Sequence, residues 1–366
     1  MLLKDIVNLI ENKYPKELAY DWDNVGLIIG NLNAHIKNIL IALDATDEVI
    51  QEAIENNVDL IITHHPFVFK PIKKITSNSL IGKNIYKLIK NDINIYCCHT
   101  NFDIAYGGLN DAICDILGLK NLKLIEQTKV EKLYKIVVYT PISSVEKVRE
   151  ALSAAGAGHI GNYSHCTFNT EGVGTFMPLE NTNPHIGEKF KLEKVQETKI
   201  ETICKESILD NVINNMIKNH PYEEVAYDVY ELKNSGIRYG LGRIGTCEEN
   251  YTLRSFTEYI KEKFSLESVK VVGDLDRKIN KVAVVSGSGS SLICKVSSMN
   301  ADVLITGDIK YHEAQQALES GVSIIDIGHF GSEKIFSDIL QKYLQEKLEN
   351  VNIIKSKECK DPFKTI

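Results

Sequence analysis

The sequence is poor in the features that would classify it at a glance. It holds one tryptophan, four methionines and eight prolines in 366 residues. Its eight cysteines include no Cys-x-x-Cys pair. That excludes a zinc ribbon and leaves scattered thiols of the kind a reducing compartment keeps, not a disulfide framework. The one adjacent pair, Cys97-Cys98, reads as small apolar residues of a buried strand. No apolar run approaches the ~20 residues of a membrane span. The formal net charge is −7, so the basic surface that strong, non-specific nucleic-acid binding needs is missing, although a local basic patch stays open. The N-terminus, Met1-Leu2-Leu3-Lys4-Asp5, has an early acid and no long apolar core. A cytoplasmic protein without a signal peptide is therefore expected.

What is present is an internal duplication. Asn38–His65 aligns without a gap to Lys281–Asp308, a shift of 281 − 38 = 243 positions. Each copy reads as strand, helix, strand: Ile39–Leu43, Asp47–Asn57 and Val58–Thr63 in the first, and Val282–Val285, Ser290–Asn300 and Ala301–Thr306 in the second. The strands are apolar on both faces, as parallel strands covered by helices are. Each unit is then a βαβ crossover. Each half continues into a third strand, Ile93–Cys98 or Val322–Ile327, and then a polar turn. Ser332 is expected to cap the last helix, with a stripe of Ile335, Phe336, Ile339, Leu340, Tyr343 and Leu344, and Glu333 in its first turn.

Between the halves the pattern changes. Strand Lys135–Thr140, helix Ser144–Ala155, strands through Cys166–Pro178 and Leu192–Cys204, helix Ile208–Asn219 and strand Val225–Leu232 give the βαββαβ order of a ferredoxin-like domain. The expected architecture is α/β. A duplicated core of about residues 1–125 and 240–366 is interrupted by an α+β insert over about 126–239.

The chemistry gathers where the core strands end. The run Ile61-Ile62-Thr63-His64-His65-Pro66 stops an apolar strand on two imidazoles, the commonest metal-ligating side chains. In α/β sheets, sites form at the carboxyl edge. His64, His65, Asp103, His329 and Glu333 all fall at such ends, three from one half and two from the other. Three imidazoles and two carboxylates suit two metal ions, one carboxylate bridging and positions left for water. Nitrogen and oxygen donors fit zinc, iron, manganese, cobalt or nickel without choosing among them. His99 and Asp308 are candidate supporting residues or general bases. His312 is a weaker candidate. Tyr20–Leu27, which holds the only tryptophan, reads as a structural loop whose acids could line the cleft.

Glycine-rich stretches offer less. Gly156–Gly161 and Gly240–Gly245 match Gly-x-Gly-x-x-Gly but lack the strand-to-helix context of a dinucleotide site, and read as turns. Gly287-Ser288-Gly289-Ser290-Ser291 lies between a strand and a helix. It could hold a phosphate on backbone N–H groups, or be a plain serine-capped turn. No Walker lysine is present.

Taken together, Asp21–Gly30, Ile61–Phe67, His99–Asp111, Ile305–Ala314 and Gly328–Glu333 resemble the Nif-three-like dinuclear-metal family, also named GTP cyclohydrolase 1 type 2 homologues. The resemblance covers nearly the whole chain. The insert, with Gly156–Tyr163 and His220-Pro221-Tyr222-Glu223, is similar to the extra PII/CutA-like domain of longer bacterial members. Phe330, Ser332 and Lys360 depart from the residues common there, and none is a proposed ligand. The resemblance implies two divalent ions on His64, His65, Asp103, His329 and Glu333. It implies a toroidal homohexamer, a trimer of dimers, with sites facing its cavity. It implies a metal-dependent hydrolase acting on a nucleotide or related small molecule. The alternative is a non-catalytic metal-binding, storage or regulatory hexamer.

Overall fold

In the computed structural model, which describes residues 1–364, the chain divides into two compact units. Among the described residues one comprises 1–129 and 239–364, the other 130–238. The last two residues of the expected 240–366 segment lie outside the described residues.

The first half of the core unit runs α1 (Leu3–Lys13), β1 (Gly26–Ile29), β2 (Asn38–Ala42), α2 (Asp47–Glu55), β3 (Leu60–Thr63), α3 (Leu80–Lys90), β4 (Asn94–Cys97), α4 (Thr100–Ile104), α5 (Leu109–Ile116) and β5 (Lys120–Val130). The intervening unit comprises β6 (Leu133–Pro141), α6 (Val145–Ala154), β7 (Thr167–Phe176), β8 (Glu193–Lys205), α7 (Leu209–Asn219) and β9 (Tyr227–Leu232). The second half follows as β10 (Arg238–Thr252), α8 (Leu253–Lys263), β11 (Lys270–Val272), β12 (Lys278–Ser288), α9 (Ile293–Ser298), β13 (Val303–Gly307), α10 (Tyr311–Glu319), β14 (Ser323–Asp326), α11 (His329–Glu333), α12 (Phe336–Gln345) and β15 (Asn352–Lys355).

The duplication is carried into hydrogen bonding. The two core sheets have the orders β1-β4-β3-β2-β15 and β11-β14-β13-β12-β10-β5. Ile39 pairs with Leu60 in one and Val282 with Val303 in the other, both parallel. Asp59 accepts from the backbone N–H groups of Lys37 and Asn38, and Asp302 from those of Asn280 and Lys281. The central strands are buried along their whole length, which explains their unbroken apolar sequence. Each half also has an antiparallel edge strand, β1 against β4 and β11 against β14. These strands of four and three residues are too short to show a period.

The last helix of each half crosses over. Helix α5 packs on β12 of the second sheet, and α12 on β2 and β15 of the first. Ile113 and Cys114 thus join Val282, Val284 and Ile305 in one core, while Phe336, Leu340 and Leu344 join Ile39, Ile41 and Ile62 in another. Across the same seam Asp103, in α4, accepts from Ser286 of β12, the strand on which α11 also packs.

The intervening unit is an antiparallel sheet of order β7-β8-β6-β9. Its helices α6 and α7 pack together, over a core of Ile136, Val138, Val148, Leu152, Ile200, Val212 and Met216. The element order is βαββαβ.

Three local expectations are corrected. Ser332 does not cap the last helix. The chain makes a separate turn, α11, and α12 starts at Phe336 with no side-chain cap. The Ser332 hydroxyl instead accepts from Gly287 N and donates to the His329 carbonyl. Glu333 therefore ends a short helix and does not begin a long one, so a favourable helix dipole cannot account for it. Gly240–Gly245 is not a turn but part of strand β10. A side chain at Gly240 would run into the Glu126 carbonyl of β5, so glycine there permits close strand approach.

Candidate metal centre

The two histidines leave β3 in a fixed way. Their backbone N–H groups still pair with Ala42 and Leu43 of the neighbouring strand, and the Thr63 hydroxyl donates to the His65 carbonyl. His64 is fully buried. Its Nδ1 lies 2.8 Å from the Cys98 carbonyl oxygen. A carbonyl only accepts, so Nδ1 carries a proton and Nε2 is the nitrogen left to face the cluster. That Nε2 is buried without a hydrogen-bond partner, and faces Glu333 Oε1 at 3.6 Å and Asp103 Oδ1 at 3.8 Å.

The same device recurs at three more histidines. His65 Nδ1 lies 2.9 Å from Asp44, His329 Nδ1 2.7 Å from Asp308, and His99 Nδ1 2.9 Å from Asp23. In each case the outer nitrogen is tied to an acceptor. An outer carboxylate or carbonyl of this kind fixes ring orientation and raises ligand basicity at metal sites. Within the cluster, His65 Nε2 and His329 Nε2 lie 2.9 and 3.1 Å from Glu333 Oε2, and 3.3 Å from each other. Glu333 thus offers one oxygen to His64 and the other to His65 and His329.

Such a convergence of acceptors needs positive charge. Burial alone would raise the pKa of Glu333, but the imidazoles of His64, His329 and His65 hold it well below the usual carboxylate range. Burial, reinforced by the charge of Glu333, raises Asp103, whose Oδ1 accepts from the Ser286 hydroxyl at 2.8 Å. Burial depresses His65, yet hydrogen bonds to Asp44 and Glu333 carry it up to about 10. His329 rises to about 9, first through its bond to Glu333. His65, His329 and Glu333 lie close enough to share one ion, as do His64, His65 and His99.

The family described as Duf34/NIF3 (NGG1p interacting factor 3) matches this chain over residues 1–362. The chain belongs to that family. A GTP cyclohydrolase 1 type 2 homolog of Halalkalibacterium halodurans is 46% identical over 362 residues, 98% of this chain and 97% of the relative. Another, of Bacillus subtilis, is 43% identical over 364 residues, again 98% and 97%. The crystal structure of a Bacillus cereus protein related to NIF3 superposes with a TM-score of 0.91 at 45% identity, covering 100% of this chain and 99% of that one.

In this NIF3-family chain the five expected ligands come together, and His99 joins them. Its ring lies 5.2 Å from His64 and 5.6 Å from His65 between centroids. Asp308 is placed as the partner of His329. His312 stands apart, bonded to Gln315 on α10. In the Gly287–Ser291 turn, two of the N–H groups a phosphate cradle would use are engaged within the fold. Gly287 N is taken by Ser332 and Gly289 N by the Thr306 hydroxyl. Cys97 and Cys98 are fully buried, and burial pushes both thiols up in pKa, which leaves them inert.

Other contributors gave little signal in the sequence. Asp44 and Asp23 stand in loops; Asp44 is told from other surface acids by its contact with His65, and Asp23 by a buried carboxylate held by His99 and Thr100. Asn110 bonds both the Asp103 carbonyl and Ser286. Arg243, inside β10, makes a bidentate pair with Asp111 at 2.5 and 3.1 Å and donates to the Gly240 and Gly242 carbonyls. Asp111 also accepts from Gly107 N. The pair pins the corner that follows Asp103.

Proposed function

We propose that this chain holds two divalent metal ions in the His–carboxylate cluster and uses them to hydrolyse a nucleotide or a related small molecule. The observation that carries the reading is the inward set of imidazole Nε2 atoms. Each ring is oriented by an acceptor on Nδ1, and all gather around a buried carboxylate that keeps its charge. His64, Asp103 and one oxygen of Glu333 would hold one ion. His65, His329 and the other oxygen of Glu333 would hold the second. The all-nitrogen-and-oxygen donor set suits zinc, iron, manganese, cobalt or nickel. Such ions, when bound, acidify a water and polarise a substrate oxygen. His99 lies beside the donors, where it can orient or exchange a proton with what binds there. A nucleotide substrate follows from the cyclohydrolase name carried by the relatives. The family resemblance supports a toroidal homohexamer. The free cysteines support a cytoplasmic setting. Among the described residues no helix is long and apolar enough to cross a membrane.

One observation favours the second reading, a non-catalytic metal store or regulator. Asp23, Asp44 and Asp308 are all engaged with imidazoles, so none of the three stands free as a base. Elemental mass spectrometry on tag-free protein, followed by a nucleotide hydrolysis screen with the metal found, separates the readings. About two ions per chain and turnover lost in Glu333→Ala support the hydrolase. The same ions, exchangeable and without turnover, support the store. Protein that neither contains nor takes up metal sinks both.

A further inference from the structure

The loop between α1 and β1 carries the chain's only tryptophan, and the metal-site reading leaves that side chain unexplained. Trp22 remains 58% exposed although it stands beside the cluster. Tyr20 stacks on it, with centroids 5.6 Å apart and planes at 13°. Phe69, itself 52% exposed, lies 5.9 Å away at 52°. His99 meets the indole edge-on at 6.2 Å and 73°. The arrangement is a flat indole backed by one ring and flanked by two steeply inclined ones.

The platform is held in place from below. Tyr20 N donates to the Thr100 hydroxyl, and Asn24 to the Val68 carbonyl. Asp23, one residue from Trp22, fixes His99 and accepts from Thr100. The platform and the site therefore share a foundation, and the His99 ring contacts Trp22 as well as His64 and His65.

Charge identifies what would bind. In a chain of net charge −7, residues 66–91 contain six lysines and no acid. Lys70 directly follows Phe69, and Lys73 and Lys74 lie in the same connection to α3. All three are exposed, and among the described residues Lys87 is the only one of the six in an ion pair. Asp21 and Asp23, on the tryptophan loop, are the opposing charges nearby in sequence, and Asp23 is already taken by His99 and Thr100.

We propose that Trp22, Phe69 and the edge of His99 form a stacking subsite for a planar heteroaromatic ring, with an anionic substituent directed to the Lys70–Lys74 loop. The proposal rests on the metal-centre reading and deepens it. It selects ligands that carry a ring and a negative charge, and sets the ring one imidazole away from the metal donors. A π-face stacks on an exposed aromatic whatever its substituents, and the cationic loop attracts the charge.

Trp22 reports on its own site, because no other tryptophan contributes fluorescence. Full-length, metal-loaded protein is titrated with AMP, adenosine and ribose 5-phosphate, with Phe69→Ala in parallel. Metal content is measured in each sample as a check on the fold. Saturable quenching by AMP, weaker by adenosine and absent with ribose 5-phosphate, is expected. Phe69→Ala should weaken AMP binding on the order of tenfold. No saturable quenching, equal quenching by ribose 5-phosphate, or an unchanged AMP affinity in Phe69→Ala overturns the subsite. Quenching as expected, with no turnover on any nucleotide, leaves the subsite standing and sinks the hydrolase. Turnover with Trp22 fluorescence unmoved sinks the subsite alone.

Discussion

His65 and His329, 264 residues apart in the chain, bring their Nε2 atoms to 3.3 Å. Each ring has its other nitrogen against a carboxylate, Asp44 or Asp308. As neutral rings protonated at Nδ1, they would oppose two lone pairs next to the Glu333 carboxylate. A proton or a metal ion must resolve that opposition.

A pH dependence follows. In metal-free protein His65 is raised to about 10 and His329 to about 9, against about 6.5 for an unfolded histidine. A raised folded pKa contributes stability that is complete below about pH 6.5 and is lost as pH climbs to about 9–10. Metal-loaded protein has no such protons to lose. The gap in Tm between loaded and chelator-treated protein should widen across that window, and metal uptake near neutral pH should release protons. Parallel Tm curves would contradict the assignment.

Glu333 offers its two oxygens to different imidazoles, so its removal should empty more of the site than any single histidine. Glu333→Ala should retain almost no metal, whereas His329→Ala and His64→Ala should each keep about one ion per chain. Elemental analysis on folded protein decides it. Equal, partial losses in all three variants would mean that Glu333 does not span the two positions.

The outer acids should tune the site without building it. Asp308→Asn and Asp44→Asn leave every inward nitrogen in place but weaken the hold on ring orientation. Each should lower metal affinity by roughly 10–100-fold, read by competition with a chelating dye, while circular dichroism stays unchanged. Unaltered affinity in both would make those contacts incidental.

How far the sequence reveals this arrangement depends on the range of each interaction. The βαβ repeat is legible because burial on both faces leaves a pattern in consecutive residues, as in Leu60–Thr63 and Val303–Gly307. The convergence of His64, His65, Asp103, His329 and Glu333 is legible because each follows the end of such a pattern. Asp44 and Asp23 are not, since nothing local separates them from loop acids until His65 and His99 arrive. The exchange of α5 and α12 between sheets is likewise hidden. An apolar stripe such as Phe336, Leu340 and Leu344 shows that a helix is buried, but not which sheet buries it. Ser332 misleads for a related reason. Its hydroxyl has a cap's chemistry, but the tertiary partner Gly287 takes it.

Arg243 tests whether the corner behind Asp103 matters. It is 1% exposed and paired with Asp111. Removing one member of a buried pair strands the other, at a cost of about 3 kcal/mol. Arg243→Met should lower stability on that scale in denaturant titration and loosen metal binding. Arg243→Met with Asp111→Leu should recover part of the stability. Failure of the double variant to recover any would assign the loss to the carbonyl contacts with Gly240 and Gly242.

Gly287 separates two accounts of its turn. Its φ is +60°, a region that disfavours side chains, and a Cβ there would meet Glu333 Oε1, with His329 at 3.5 Å. Glycine is therefore required for the Glu333 carboxylate to lie where it does. Gly287→Ala should push that carboxylate off the line between His64 and His329, lowering metal content while the buried strands around it keep the fold. If the turn instead served as a phosphate cradle, the same variant would weaken inorganic phosphate binding and leave metal content intact. Because Gly287 N and Gly289 N already bond Ser332 and Thr306, the expected result is metal loss with no change in phosphate affinity. Equilibrium dialysis of both ions on one preparation distinguishes the two.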